Sequence, residues 1–477
     1  MNDRPSVRIG NGCGFYGDQL DAPRDLVRSG NLDYLTLEYL AELTLSILAR
    51  RREKDPSHGY AHDFLYVVES LVPDLSKPNA PKIITNAGGM NPPSCARAVA
   101  DILCAAGLAD RRIAVVTGDD IMSHVDSWLD DGEPLEHLDS GRPLTDVRER
   151  LVSANAYLGA APIVEALRRG TDIVITGRVA DASLTVAPAR FVFGWSDEDT
   201  EQLAQATVAG HLIECGAQAT GGYSTSWESL QLTDVGYPIA VLDANGELRI
   251  TKPAGTGGAV TVRTITEQLL YEVGDPSAYL TPDLILDVTG VRLEQVEPDL
   301  VAVRGATTRG IPARYKVSAA YRAGYQTSGQ LVVYGEDCLR KADAIAGMVL
   351  ERVRRAGFEL ERFHVEKLGT GDAVPRSSDQ AAVPDALREV VLRIAVADSD
   401  RRAVERFSRE WAPLVTSGPA GIGGYTQARQ PVRPVYAFWP ATVAKSRVDP
   451  LVRIDVRPAT QWACAGKHDS GSTDSSP

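Results

Sequence analysis

The residues able to do chemistry fall in a few short motifs, each placed where a run of apolar residues stops. IGNGCGFYGD (9–18) offers Asn11 and Gly12 in a glycine-rich turn whose backbone amides are candidates to cradle a phosphate. TNAGGMNP (85–92) sets Asn86, donor and acceptor in one side chain, beside Gly88 and Gly89, where a ligand can approach the backbone. VTGDD (116–120) places Asp119 and Asp120 side by side, which suits a divalent metal or general acid–base work. SANAYLGA (153–160) adds Asn155, and ITGRVADAS (175–183) adds Arg178 and Asp181. A guanidinium matches carboxylate or phosphate through two parallel hydrogen bonds, so Arg178 is a candidate anion clamp, with Asp181 to orient it or to act as a base.

GHLIECGAQATGG (210–222) is the densest of these motifs. His211 and Glu214 are three apart, so on a helix they share a face, and Cys215 follows directly. A carboxylate in that place raises an imidazole's pKa and sets its tautomer, which makes His211 the expected general base. Asp181, Glu214 and Cys215 are the other candidate catalytic groups, Cys215 as a nucleophile. TKPAGTGGAVT (251–261) supplies Lys252 in a glycine-rich loop that lacks the GxxxxGK[ST] order of a nucleotide phosphate loop. Each motif has a structural reading beside the chemical one. The glycine strings serve as strand-to-helix turns, Asp119 as a helix cap, Arg178–Asp181 as a structural ion pair, and Cys215 as a small buried hydrophobe.

The elements that must hold these groups follow from the apolar pattern. Buried strands are expected at 7–10, 33–39, 82–85, 112–118 and 172–177, with amphipathic helices at 40–51, 60–71, 94–106, 160–169 and 200–215. That alternation specifies an α/β fold with a largely parallel sheet flanked by helices. Its ligands bind at the carboxyl edge of the strands, where the motifs lie. From 237 the pattern turns antiparallel. A hairpin is expected at 240–250 with a type I′ turn at Asn245-Gly246, then further hairpins at 291–305 and 316–335, then a helix at 337–356. Beyond the polar stretch 369–386, a strand (390–397), a helix (401–414) and strands at 434–438 and 451–456 fit a small ferredoxin-like unit. The expected domains are 1–235 (α/β, carrying the site), 236–370 (α+β with hairpins), 386–460 (ferredoxin-like α+β) and a disordered tail, 461–477.

Composition sets the outer bounds. The chain has 477 residues, and 50 basic against 63 acidic side chains give a net charge of −13, which argues against a nucleic-acid partner. No apolar run reaches the ~18–20 residues of a membrane span, and the first residues lack a secretory leader's layout. The six cysteines are scattered without a CxxC pair, so the expectation is a reducing cytoplasm and a small-molecule partner, with self-association into a homo-oligomer open.

Together the strings IGNGCGFYGD, KIITNAGGMNP, VTGDD, SANAYLGAAPI, DIVITGRVADASL, AGHLIECGAQATGGY and ITKPAGTGGAVTVRTITEQLLYEVGDPSAYLTPD resemble the acyclic terpene utilisation family (AtuA-like), once catalogued as a domain of unknown function. The resemblance covers about 6–370, and REVVLRIAVADSD resembles the small ferredoxin-like domain that often follows. It implies breakdown of acyclic terpenes through CoA thioesters, in the company of acyl-CoA carboxylases and hydratases. The activity it implies is a carbon–carbon lyase that cleaves a 3-hydroxyglutaryl-type CoA ester by retro-aldol chemistry. A thiol-dependent acyl-CoA hydrolase or transferase and a non-catalytic accessory subunit are the alternatives. No cofactor is specified beyond the CoA thioester substrate, with a divalent metal at Asp119 and Asp120 as one expectation. The family supplies no settled catalytic residues to carry over.

Overall fold

The computed structural model describes residues 6–372, 387–424 and 429–464. The chain forms two compact units, Met1–Ala320 with Phe438–Pro477, and Tyr321–Ala437.

The first unit is built on a ten-stranded sheet. Its first strands are β1 (Ser6–Asn11), β2 (Tyr34–Leu37), β3 (Lys82–Thr85) and β4 (Arg112–Thr117); β5 (Leu151–Ala156) lies outside this sheet, and β6 (Ile173–Thr176) rejoins it. β1, β2, β3, β6 and β4 lie side by side in that order, all parallel. They are short and apolar on both faces, with Ile83, Ile84, Val174 and Ile175 fully buried, as a sheet covered on both sides demands. β7 (Ile239–Asp243) and β8 (Leu248–Thr251) extend the sheet antiparallel beyond β1. A short three-stranded sheet uses β9 (Tyr279–Leu280), β10 (Ile285–Asp287) and β13 (Thr307–Thr308). Between β10 and β13, β11 (Arg292–Glu297) and β12 (Leu300–Arg304) form a hairpin that closes that edge of the large sheet. The strand Arg453–Pro458 closes the other edge against β4.

Helices α1 (Ala22–Ser29), α2 (Glu42–Lys54), α3 (Asp63–Leu75) and α4 (Pro92–Ala105) follow the first three strands. α1, α3 and α4 share one core with the helix Ala459–Cys464, in which Phe64, Val68, Val99 and Trp462 pack on Leu35, Leu37 and Ile173. Later come α5 (Val125–Asp130), α6 (Ala161–Arg168), α7 (Ser183–Phe193), α8 (Thr200–Glu214) and α9 (Val262–Leu270). α6, α7 and α8 pack in succession on the sheet's other face. One consequence fixes the site. β3 and β6 are neighbours, but the chain leaves β3 for α4 on one face and β6 for α7 on the other. Diverging connections between adjacent parallel strands open a crevice at their carboxyl ends.

In the second unit the order is β14 (Arg314–Tyr334), α10 (Cys338–Arg355), β15 (Arg362–Leu368), β16 (Glu389–Asp398), α11 (Arg401–Arg409), β17 (Ile422–Gly423) and β18 (Arg433–Ala444). β14 begins in the first unit and β18 ends there. β16 lies between β15 and β14, antiparallel to both, and β17 and β18 pair with β14. Leu331, Val333, Leu392 and Ile394 bury one face against Ile345 and Val349 of α10 and Phe407 of α11.

Three local expectations differ from what is found. The 316–335 segment lies almost wholly in one strand of 21 residues, Arg314–Tyr334, and is not a hairpin, for it carries no Asn-Gly or Asp-Gly pair to reverse the chain. The Asn245 turn is not type I′. Only Gly246 takes a positive φ (+87°), and Gly246 N–H donates to the Asp243 carbonyl, as in a three-residue loop closed by a left-handed glycine. Residues 386–460 are divided between the two units, because the strand near 451–456 pairs with β4 in the large sheet. The tail beyond 464 lies outside the described residues.

Candidate functional site

The crevice is organised around a charge. Arg178, two residues past β6, is 2% exposed, and its guanidinium lies 4.0 Å above the ring of Tyr157. One terminal nitrogen donates to the Leu40 carbonyl and stands 3.6 Å from Glu38, and the other is 2.8 Å from Asp181. Glu38, just past β2 and 4% exposed, also accepts from the Leu40 amide at 2.8 Å and from the Asn86 side chain. Asn86 returns its oxygen to the Tyr39 amide at 2.8 Å. Tyr157 donates to Glu42 at 3.1 Å, and Lys316 reaches the same carboxylate oxygen at 3.1 Å. The ends of β2, β3 and β6 are thereby tied through side chains. Burial raises the pKa of Glu38 well above the usual carboxylate range, reinforced by Asp181 and opposed by Arg178. Asp181 is also raised by burial against the pull of Arg178. Arg178 is thus committed to its own carboxylates, and of the expected anion clamp only Nε is left without a partner.

Asp119 underlies this cluster. It is buried and accepts the Arg178 amide at 2.7 Å and the Asn155 side chain at 2.9 Å, both on one oxygen. Burial pushes its pKa up to about 6. The folded protein therefore holds this proton more tightly than the unfolded chain. Its contribution to stability is complete below the unfolded value and is lost as pH rises through the folded one. From about pH 4 to pH 6 that loss should reach about 2 kcal/mol. Asp119→Asn keeps both accepted bonds on its single oxygen and removes the titration. Urea midpoints measured across this range should fall in the native protein and fall less steeply in the variant.

The third group sits at the end of α8. His211 Nδ1 lies 3.1 Å from Glu214 Oε1, and Nε2 lies 3.2 Å from the Leu269 carbonyl oxygen. The Leu269 carbonyl and an ionised Glu214 are both acceptors, and the doubly protonated ring donates to both. Burial lowers the pKa of His211, but the Glu214 carboxylate and the backbone of Leu269 and Gln268 together raise it, and the net shift is upward. Neither ring nitrogen is free to take a proton from a ligand. Glu214 presents the open atom instead. Its Oε2 is buried without a partner, and burial raises its pKa to about 7 against the opposing pull of His211. Asn11 holds this helix end in place by donating to the carbonyls of Ile213 (2.7 Å) and Glu214 (3.0 Å) and accepting from Thr36. Gly210 completes the fit, for a Cβ there would stand 2.6 Å from the Ala182 backbone, where α8 passes the start of α7. Asp181 lies near enough for its charge to add to the rise of Glu214. Cys215 and Cys13 are pushed upward by burial and are thiols, not thiolates, near neutrality.

Each of the remaining candidates has close neighbours or partners within the fold. Gly12 is crowded by Pro23, Gly88 by the Thr176 carbonyl and Gly89 by Leu48, and the Gly89 amide donates to the Asn86 carbonyl. Asp120 diverges from Asp119 and pairs with Arg52 at 3.1 Å. Lys252 donates to the Thr256 carbonyl at 2.7 Å and pairs with Asp299 at 3.1 Å. Among the described residues, no three His, Cys, Asp or Glu side chains gather to hold a metal ion. Nor is any helix there long and apolar enough to cross a membrane. Sequence reasoning missed Glu38 and Tyr157. A lone carboxylate closing the apolar run DYLTLEY was the available clue to Glu38.

No curated protein and no solved structure matches the chain. The family model described as acyclic terpene utilisation family protein AtuA matches residues 7–454, which takes in every residue of the crevice. The chain belongs to the acyclic terpene utilisation family, AtuA.

Proposed function

We propose that this member of the family is a carbon–carbon lyase that cleaves a branched 3-hydroxyglutaryl-type CoA thioester by retro-aldol chemistry. The observation that carries the reading is a set of buried polar atoms without partners around one crevice: Asn155 Oδ1, Arg178 Nε and Glu214 Oε2. A buried polar atom without a partner costs about 1–3 kcal/mol, so three of them in one place point to a ligand that satisfies them. Retro-aldol cleavage needs a base for the hydroxyl proton and a donor for the enolate oxygen. Glu214 supplies the base, held by His211, and Arg178 Nε supplies the donor. Thiol chemistry draws less support, since burial keeps Cys13 and Cys215 protonated. Apart from the two-residue β17, the β-α-β-β-α-β order from β14 to β18, with β16 and β18 beside β14, supports a ferredoxin-like reading of the second unit. The unpaired cysteines among the described residues support a cytoplasmic setting.

The test is incubation of the purified protein with a branched 3-hydroxyglutaryl-type CoA thioester, followed by mass spectrometry. A shorter acyl-CoA thioester and a keto acid in equal amounts are expected. Release of free CoA alone would mean thioester hydrolysis, and an unchanged substrate would remove the lyase reading.

A further inference from the structure

We infer that Glu38 and Asp181 hold a single proton between them across Arg178, and that this carboxyl pair is the proton donor of the crevice. The inference rests on the reading of the site as an acid–base centre and adds a residue, Glu38, to it. A hydrogen bond from the Glu38 side chain opposes the upward shift of Asp181. Both also contact the same guanidinium, at 3.6 Å and 2.8 Å. Two ionised carboxylates are both acceptors and cannot bond to each other, and Glu38 Oε2 has no donor. One proton between them converts that contact into a hydrogen bond. It also leaves a net charge of −1 on the pair to balance Arg178, whereas two ionised carboxylates would leave an excess negative charge buried.

The surroundings permit this state. Arg178 and Lys316 are the cations that act on Asp181, and Glu42 and Glu214 are the carboxylates that share its field. Cys13 and Tyr157 face the pair as neutral groups, because burial raises both. Burial of Glu38 and Asp181 raises both carboxyls, in keeping with a retained proton.

In the proposed cleavage the protons balance within the crevice. Glu214 takes the hydroxyl proton as the O–H electrons form the carbonyl and the C–C bond breaks. The C–C electron pair becomes the thioester enolate, whose carbon takes the proton held by Glu38 and Asp181. Glu214 then returns its proton to the pair, so no co-reactant is consumed.

Infrared difference spectroscopy of the whole protein, without substrate, reads the proton directly. The measurement is made at a pH above the values of Asp119 (about 6) and Glu214 (about 7), so that neither contributes. A protonated-carboxyl band is expected in the native protein and absent in both Glu38→Gln and Asp181→Asn, because each variant leaves its remaining carboxylate alone beside Arg178. Loss of the band in one variant only would assign the proton to a single residue and overturn the sharing. So would a native protein without the band. Because no turnover is measured, a failed lyase assay with the expected bands would overturn the reaction and leave the pair standing. In an active preparation, Glu38→Gln should lower turnover by about 10²–10⁴-fold.

Discussion

Arg178→Gln should destabilise the protein by about 3–5 kcal/mol, the usual cost of removing one partner from a buried ion pair. The guanidinium is 2% exposed and holds Glu38, Asp181 and the Leu40 carbonyl in one place while stacking on Tyr157. A glutamine reaches fewer of these groups and carries no charge, so the carboxyls at the ends of β2 and β6 lose their counter-ion. The urea midpoint should fall accordingly. The discriminating measurement is the triple variant Arg178→Gln, Glu38→Gln, Asp181→Asn, which removes all the charges together. It should recover a large part of the loss, since an uncharged set has no unpaired ion to bury. A single variant as stable as the native protein, or a triple variant no better than the single, would show that the cluster does not bear on folding.

The parallel sheet was legible because its strands are short, apolar on both faces and punctuated by turns, as in KIIT and DIVITG. The strand ends pointed to the crevice for the same reason: Asn86, Asp119, Arg178 and Asp181 follow or end such runs, whereas Asn155 lies inside β5, a strand the apolar pattern did not mark. What failed to show was the direction of each side chain. Asp119 and Asp120 are neighbours in sequence, but one turns into the crevice and the other outward to Arg52. His211 and Glu214 do share a helix face, yet the partner that occupies the second ring nitrogen, the Leu269 carbonyl, comes from 58 residues away. A contact across that separation leaves no trace in local periodicity. The second unit was misdrawn for a related reason. Its first strand, β14, lies in sequence before the polar stretch that looks like a boundary.

Glu214→Gln should abolish most turnover, by about 10²–10⁴-fold, while His211→Gln should act mainly on the pH profile. The argument begins with which atom is free. Both nitrogens of His211 already face acceptors, whereas Oε2 of Glu214 faces none of its own. A base must be ionised to work, so the native rate should rise with pH through the value of Glu214, about 7. Glutamine at that position keeps the shape and the contact to the ring but cannot take a proton. Removing His211 takes away the charge that opposes the upward shift of Glu214. The rising limb in His211→Gln should therefore move to higher pH, with much of the rate recovered in alkali. A purely structural histidine would lower the rate without moving the limb. Were His211 itself the base, its variant would lose the limb and gain nothing at high pH. That outcome, or full activity in Glu214→Gln, would return the proton to the imidazole and require the ring to release the Leu269 carbonyl during turnover.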